Sequence, residues 1–292
     1  MQDLINLIVP GLVTGSIYAL TAIGFTLLWQ TSQTINFAQG EFVMLPAALV
    51  LIATQLLGLP LWLAVLVAVT AFVLLFGLGF RYLIVGPMLR HGVMPLAIAT
   101  MALSVLMKEG VKDVFSAEPF AFPSPFGDAS IRLFGVTLSV QDLAVLCSSA
   151  VVILALHLFV SRTRAGRQMQ AVAQNPGIAR ILGVRVGWLI AVTFMINAAL
   201  AVITSFLMSP IYLVKFSNGE FIGMAAFAAA IVGGFNQVRG ALVGGLLLGV
   251  CDNLMAAYVS NAYRAAAPML LLVVIILLRP QGLLGAKEER VV

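Results

Sequence analysis

The chain has 292 residues, 62% of them hydrophobic and 9% charged, with 16 basic and 11 acidic side chains and a mean hydropathy of +1.10. Soluble domains carry charge on roughly a quarter of their residues, so this composition cannot clothe a 31.0 kDa protein in water, and the solvent must be lipid. At roughly 20 apolar residues per crossing, the length accommodates about seven to ten transmembrane helices and leaves no room for a separate soluble catalytic domain.

The apolar stretches are continuous rather than alternating, which argues against a β-barrel. The expectation is an all-α, polytopic membrane protein of about eight or nine transmembrane helices, forming a single domain over residues 1–292. Met1, Gln2 and Asp3 lack the positive flank of a cleaved leader, so the run that follows, with Pro10 and Gly11, reads as a mature first helix. No charge falls between Asp3 and Glu41, nor from Phe42 to Phe80, a stretch that holds two crossings joined at Gly58, Leu59 and Pro60. Further apolar stretches run from Val93 to Met107, Leu143 to Val160, Trp188 to Ser209, Ile222 to Phe235, Ala241 to Val259 and Ala265 to Leu278. Those from Val93, Ile222 and Ala265 are short for a bilayer, so they are expected to be tilted, re-entrant or extended into their flanks.

Threading nine crossings from an external N-terminus places Arg81, Arg90, Arg162, Arg164, Arg167, Arg180, Arg185, Arg239, Arg279, Lys287 and Arg290 inside, with a cytoplasmic C-terminus. Lys108, Lys112, Arg132, Lys215 and Arg264 stay outside, which satisfies the positive-inside rule. The external loop over residues 108–142 contains Pro119, Pro123, Pro125, Gly127 and Gly135, so it reads either as a structured lid or docking surface or as a plain connection. The net positive charge has no aromatic interleaving, so no nucleic acid is expected. Cys147 and Cys251 lie in apolar runs and behave as small hydrophobes. His157 has only His91 as a possible companion, so neither a metal site nor a cofactor is expected.

A short echo links the halves. Asn36, Phe37, Ala38, Gln39, Gly40, Glu41, Phe42 resembles Lys215, Phe216, Ser217, Asn218, Gly219, Glu220, Phe221, with the shared core Phe-x-amide-Gly-Glu-Phe. Five crossings would separate the copies and put them on opposite membrane faces, the pattern of an inverted internal repeat. Asn36, Gln39, Glu41, Asn218 and Glu220 are therefore pathway or gate residues, or else each glutamate merely complements a helix N-terminus. Asp252 lies inside a span, where an ionisable group is costly; it joins the pathway set or serves as hydrogen-bonded packing glue. Gly11 and Gly15, and Gly240, Gly244, Gly245 and Gly249, form close-approach stripes for internal packing or for a second membrane subunit.

The inner loop, residues 161–187, reads as helical: Asn175 can cap a short helix that begins at Pro176 and stops at Gly183. Its arginines also suit a solvated loop that meets anionic lipid headgroups.

Three stretches carry a resemblance: Asn36 to Phe42, the loop from Arg162 to Val184, and Ala226 to Asp252 with Val-Gly-Gly-Phe and Gly-Gly-Leu-Leu-Leu-Gly. Together they resemble the branched-chain amino acid permease family of ABC importers, particularly its H-type subunit. The resemblance implies a permease of the bacterial plasma membrane that pairs with a second, similar permease, with two cytoplasmic ATPase subunits below and a soluble amino-acid-binding protein above. It also assigns Arg167, Asn175, Pro176, Ala179 and Gly183 to ATPase coupling, although Gln170, Ala171 and Val172 stand where other ABC importers carry Glu-Ala-Ala. The chain contains no Gly-x-x-x-x-Gly-Lys-Ser/Thr phosphate loop, so it is expected not to be an enzyme and to draw its energy from separate subunits. An ion-coupled secondary transporter or channel for a small polar solute is the alternative; it would want several intramembrane acids, and Asp252 is the one that reads as securely buried. An intramembrane enzyme would need a catalytic pair that one aspartate and two histidines cannot assemble.

Overall fold

The structure, a computed structural model, describes residues 2–89, 91–115, 118–124, 127, 129–133, 136–264 and 266–285. Arg90, Lys287 and Arg290 of the inner charge tally, and Pro125 and Gly135 of the external loop, lie outside the described residues.

Each apolar stretch read from the sequence is helical over most of its described length. Helix α1 spans Gln2–Ser32, α2 Gln39–Gln55, α3 Leu61–Leu89 and α4 Val93–Phe115. A two-stranded hairpin follows, β1 (Ser130–Leu133) antiparallel to β2 (Val136–Ser139), with Ser130 opposite Ser139. Helix α5 (Val140–Arg162) starts at once, capped by the Ser139 hydroxyl, which accepts the Asp142 amide at 3.0 Å. Two short helices, α6 (Arg164–Gln174) and α7 (Pro176–Ile181), precede α8 (Val186–Tyr212), α9 (Asn218–Gly233), α10 (Val238–Tyr258) and α11 (Ala266–Leu278). Helix α4 runs eight residues past the apolar stretch that predicts it, so Lys108 and Lys112 lie on a helix, and the loop read from the sequence as external begins after Phe115 rather than at residue 108.

Two units repeat this architecture. In each, a long helix ends, a left-handed residue breaks it (Gln33, φ 52°; Leu213, φ 59°), a short non-helical stretch follows, and a helix of 16 or 17 residues begins at the amide-Gly-Glu motif. The packing is reciprocal: α1 lies against α9 as α8 lies against α2, and α1 meets α10 as α8 meets α3. The units run in opposite directions. Thr14 of α1 bonds Tyr212 near the end of α8, whereas Gly24 of α1 packs on Asn197 near the middle of α8. Helix α9 follows α1, from Tyr18 against Phe221 to Trp29 against Phe235, and α2 follows α8, from Gln39 on Asn197 to Ala47 on Ser205. At about 1.5 Å per residue, α2 and α9 span roughly 24–26 Å, less than a bilayer core of about 30 Å. Each crossing is completed by the non-helical stretch that feeds it.

The two glycine stripes pack within the chain. A Cβ on Gly11 or Gly15 would press on the backbone of α10 at Val250 and Leu246; one on Gly245 or Gly249 would strike Ala19 or Gly15 of α1. Gly240 and Gly244 face the α9 backbone at Gly233 and Ala229. In lipid, where apolar burial alone gives no preference for a neighbouring helix, such backbone proximity is what dispersion and Cα–H···O contacts need. On the other unit, Phe42 of α2 is ringed edge-on by Phe72, Phe76 and Phe80 of α3, at 5.2–5.8 Å between centroids.

Replacing Gly249 by alanine is expected to separate α1 from α10 and cost about 1–3 kcal/mol, whereas Gly187→Ala, in open space, costs less than 1 kcal/mol. Thermal midpoints of the two purified variants in detergent, measured side by side, check the seam.

Candidate translocation site

The two motif copies meet, which corrects the expectation that they occupy opposite membrane faces. A Cβ on Gly40 would fall on the Gly219 carbonyl and on Gly223, and one on Gly219 would fall on Glu41. The crossing count places only the flanks of each segment. It does not register that residues 33–38 and 213–217 turn back, so that both short helices begin beside each other. Glycine is required at this junction because any side chain would hold the helix starts apart.

Turning back exposes backbone amides and carbonyls in an apolar medium, and each needs a partner. In the first stretch, the Asn36 Oδ1 accepts the Ala38 amide at 3.1 Å and the Thr100 hydroxyl accepts the Phe37 amide at 3.3 Å. In the second, Val214 exchanges both backbone hydrogen bonds with Phe120 of the loop after α4 at 2.8 and 2.9 Å, and the Asn218 Nδ2 donates to the Leu213 carbonyl at 2.6 Å. The loop read from the sequence as lid or connection is thus hydrogen-bonded to the returning segment. Gln39 and Asn197 form a reciprocal amide pair at 2.8 and 2.9 Å that pins the start of α2 to mid-α8, where Gly24 leaves room for it.

A cavity of about 410 Å³ opens where the helix starts converge, within the range of about 300–1,000 Å³ common for small-molecule sites. Its apolar wall is Phe25, Phe37, Met101, Val105, Met224 and Phe227; its polar residues are Glu41, Ser104, Lys108 and Glu220. Glu41, buried in the first turn of α2, accepts from the Ser104 hydroxyl at 3.1 Å. Glu220, in the first turn of α9, pairs with Lys108 at 2.5 Å and is more exposed. Of the six pathway residues read from the sequence, Glu41 and Glu220 line this cavity. Asn36, Gln39 and Asn218 shape the turns and joints that place them.

Asp252 stands apart. Fully buried in α10, it accepts from the Arg264 Nε at 2.9 Å and from the Tyr18 hydroxyl at 3.1 Å, so it belongs to an ion pair and not to the cavity wall. Sequence reading missed Lys108, Ser104, Asn197 and Arg264. A lysine near the end of an apolar run reads as loop, and a pair formed across the reversal after Tyr258 leaves no local pattern. Among the described residues, no cluster of three or more His, Cys, Asp or Glu side chains could hold a metal ion.

In the segment 161–187 the expected cap is present: the Asn175 Oδ1 accepts the Gly177 and Ile178 amides at 2.9 and 3.0 Å, and Gly183 adopts φ +81° two residues after α7 ends. Ala179 is buried, whereas Arg167, Asn175, Pro176 and Gly183 are exposed. Ile178, Ile181 and Leu182 are also exposed, at 56%, 86% and 74%. A second, polar cavity joins Pro176 and Gln170 of this segment to Gln30, Gln33 and Asn236.

Residues 7–278 match the family described as branched-chain amino acid transport system / permease component. The chain belongs to that permease family. It is 33% identical to the high-affinity branched-chain amino acid transport system permease protein BraD of Pseudomonas aeruginosa, over 99% of this chain and 96% of that one. It is 29% identical to LivH of Escherichia coli, a permease of the same description, with the same coverage. A probable branched-chain amino acid transport permease protein LivH of Methanocaldococcus jannaschii is 26% identical, over 96% of this chain and 92% of its own. These relatives are transport permeases rather than enzymes.

Removing one partner of a buried ion pair strands the other charge. Asp252→Ala is expected to cost about 3 kcal/mol, the low end for buried pairs because Arg264 is 27% exposed, while Asp252→Leu with Arg264→Leu regains at least half of that loss. Denaturation midpoints of the single and double variants measure it.

Proposed function

We propose that this chain is the membrane-spanning permease subunit of an ATP-driven ABC importer for branched-chain or related neutral amino acids, providing the pathway by alternating access. The observation that carries this reading is the meeting of two oppositely directed half-helices over a cavity with a mostly apolar wall and four polar side chains, the layout transporters use to place a substrate site inside the bilayer. Each unit can tilt as a body about the glycine contact between Gly40, Gly219 and Gly223, opening the cavity to one face and then the other.

The energy enters at residues 161–187. Three exposed apolar side chains, two on a capped, six-residue helix and one just after it, are costly in water and inexpensive against a partner, which suits a cytoplasmic ATPase surface, with Arg167 and Arg180 supplying charge at its rim. The polar cavity carries displacement of α7 to Gln33, where the first returning segment begins, and so to α2 and Glu41. In this reading two ATPase subunits lie below, a second permease completes the conduit, and a soluble binding protein meets the external loop. The N-terminus is outside and the C-terminus cytoplasmic in the plasma membrane, with the arginine-rich loop inside.

Asn175→Arg and Pro176→Glu are expected to reduce ATP-dependent uptake by vesicles holding the complete set of subunits at least tenfold, without lowering the amount of permease in the membrane. Uptake at the wild-type rate from either variant would refute the coupling role.

A further inference from the structure

Within the cavity the charges are unequally satisfied. Lys108 is paired with Glu220, and Glu109 with Lys112, but Glu41, only 2% exposed, has a single hydroxyl partner in Ser104 and no ion pair among the described residues. A buried carboxyl without a cation is costly to ionise in low dielectric, and a cation placed beside it offsets that cost. The adjacent Lys108 restricts what that cation can be. A bare cation placed beside Glu41 would be repelled by the lysine, and a bare anion at Lys108 would be repelled by both glutamates. A molecule that carries an ammonium and a carboxylate one carbon apart answers both.

We propose that Glu41 and Lys108 form an α-amino-acid site inside the membrane, with the ammonium of the zwitterion at Glu41 and its carboxylate at Lys108. Signs then alternate along the row Glu41, ammonium, carboxylate, Lys108, Glu220. The Lys108–Glu220 pair needs no breaking, because a lysine ammonium has three donors. The side chain of the substrate lies among Met101, Val105, Met224 and Phe227, where flexible thioethers adapt to aliphatic branches and offer nothing to a charged group. Ser104 holds the Glu41 carboxylate in place through its Oε1. Few fixed contacts make a site that holds briefly and releases, as a conduit requires.

This inference rests on the permease reading, and the test separates the two. In vesicles with the whole transporter, Glu41→Gln and Lys108→Gln are each expected to slow leucine uptake at least tenfold, and Glu41→Asp to restore at least a third of the wild-type rate. In the wild-type complex, leucine is expected to slow labelling of Glu41 by dicyclohexylcarbodiimide at least threefold, whereas 4-methylpentanoate, which lacks the ammonium, leaves it unchanged. Uptake within twofold of wild type in Glu41→Gln or Lys108→Gln would overturn the site, as would equal protection by the two compounds. The labelling needs no variant, so it decides even where a substitution blocks assembly. A wild-type complex that drives no neutral amino acid with ATP would overturn the permease reading instead.

Discussion

A helix that begins inside hydrocarbon exposes first-turn amides with no water to receive them, and this constraint organises the protein. Two such helices start side by side here, and the glycines at their junction bring backbone to backbone where a single methyl would intervene. The long helices α1 and α8, the amide pair of Gln39 with Asn197 and the aromatic ring around Phe42 all hold those two starts in register. Stability and the placement of α9 draw on the same seam, because the glycines that bind α10 to α1 continue into those that hold the last turn of α9 at Ala229 and Gly233.

The helices and the echo were legible in the sequence, since a continuous apolar run and a repeated six-residue pattern are local signals. The direction of the chain between them was not. Counting crossings treats each segment as a straight passage, whereas Gln33 and Leu213 reverse the chain with nothing in their residue types to announce it: leucine is not a residue expected at positive φ. Asn175 was legible because capping is local, and the structure shows both amide bonds.

The reading of charge stopped at sidedness and did not reach pairing. Composition treats lysine and arginine as markers of loops, so Lys108 and Arg264 went to the outer face. In the structure each is drawn to a carboxylate, Lys108 to Glu220 more than a hundred residues away in sequence and Arg264 to Asp252 across a tight reversal. Both pairs arise from tertiary contact, and an isolated intramembrane acid was half of the signal. The missing cation had to be sought among residues that hydropathy had set aside.

The two returning segments are fastened by different means. The first is tied by the side chains of Asn36 and Thr100, well within the helical body, while the second is laced through Val214 to the main chain of Phe120, on a loop beyond the helices. Those two main-chain bonds, beside the Asn218 amide on the Leu213 carbonyl, couple the second segment to a loop outside the helices. The internal symmetry of the two units thus ends where the backbone of one is stitched to a loop.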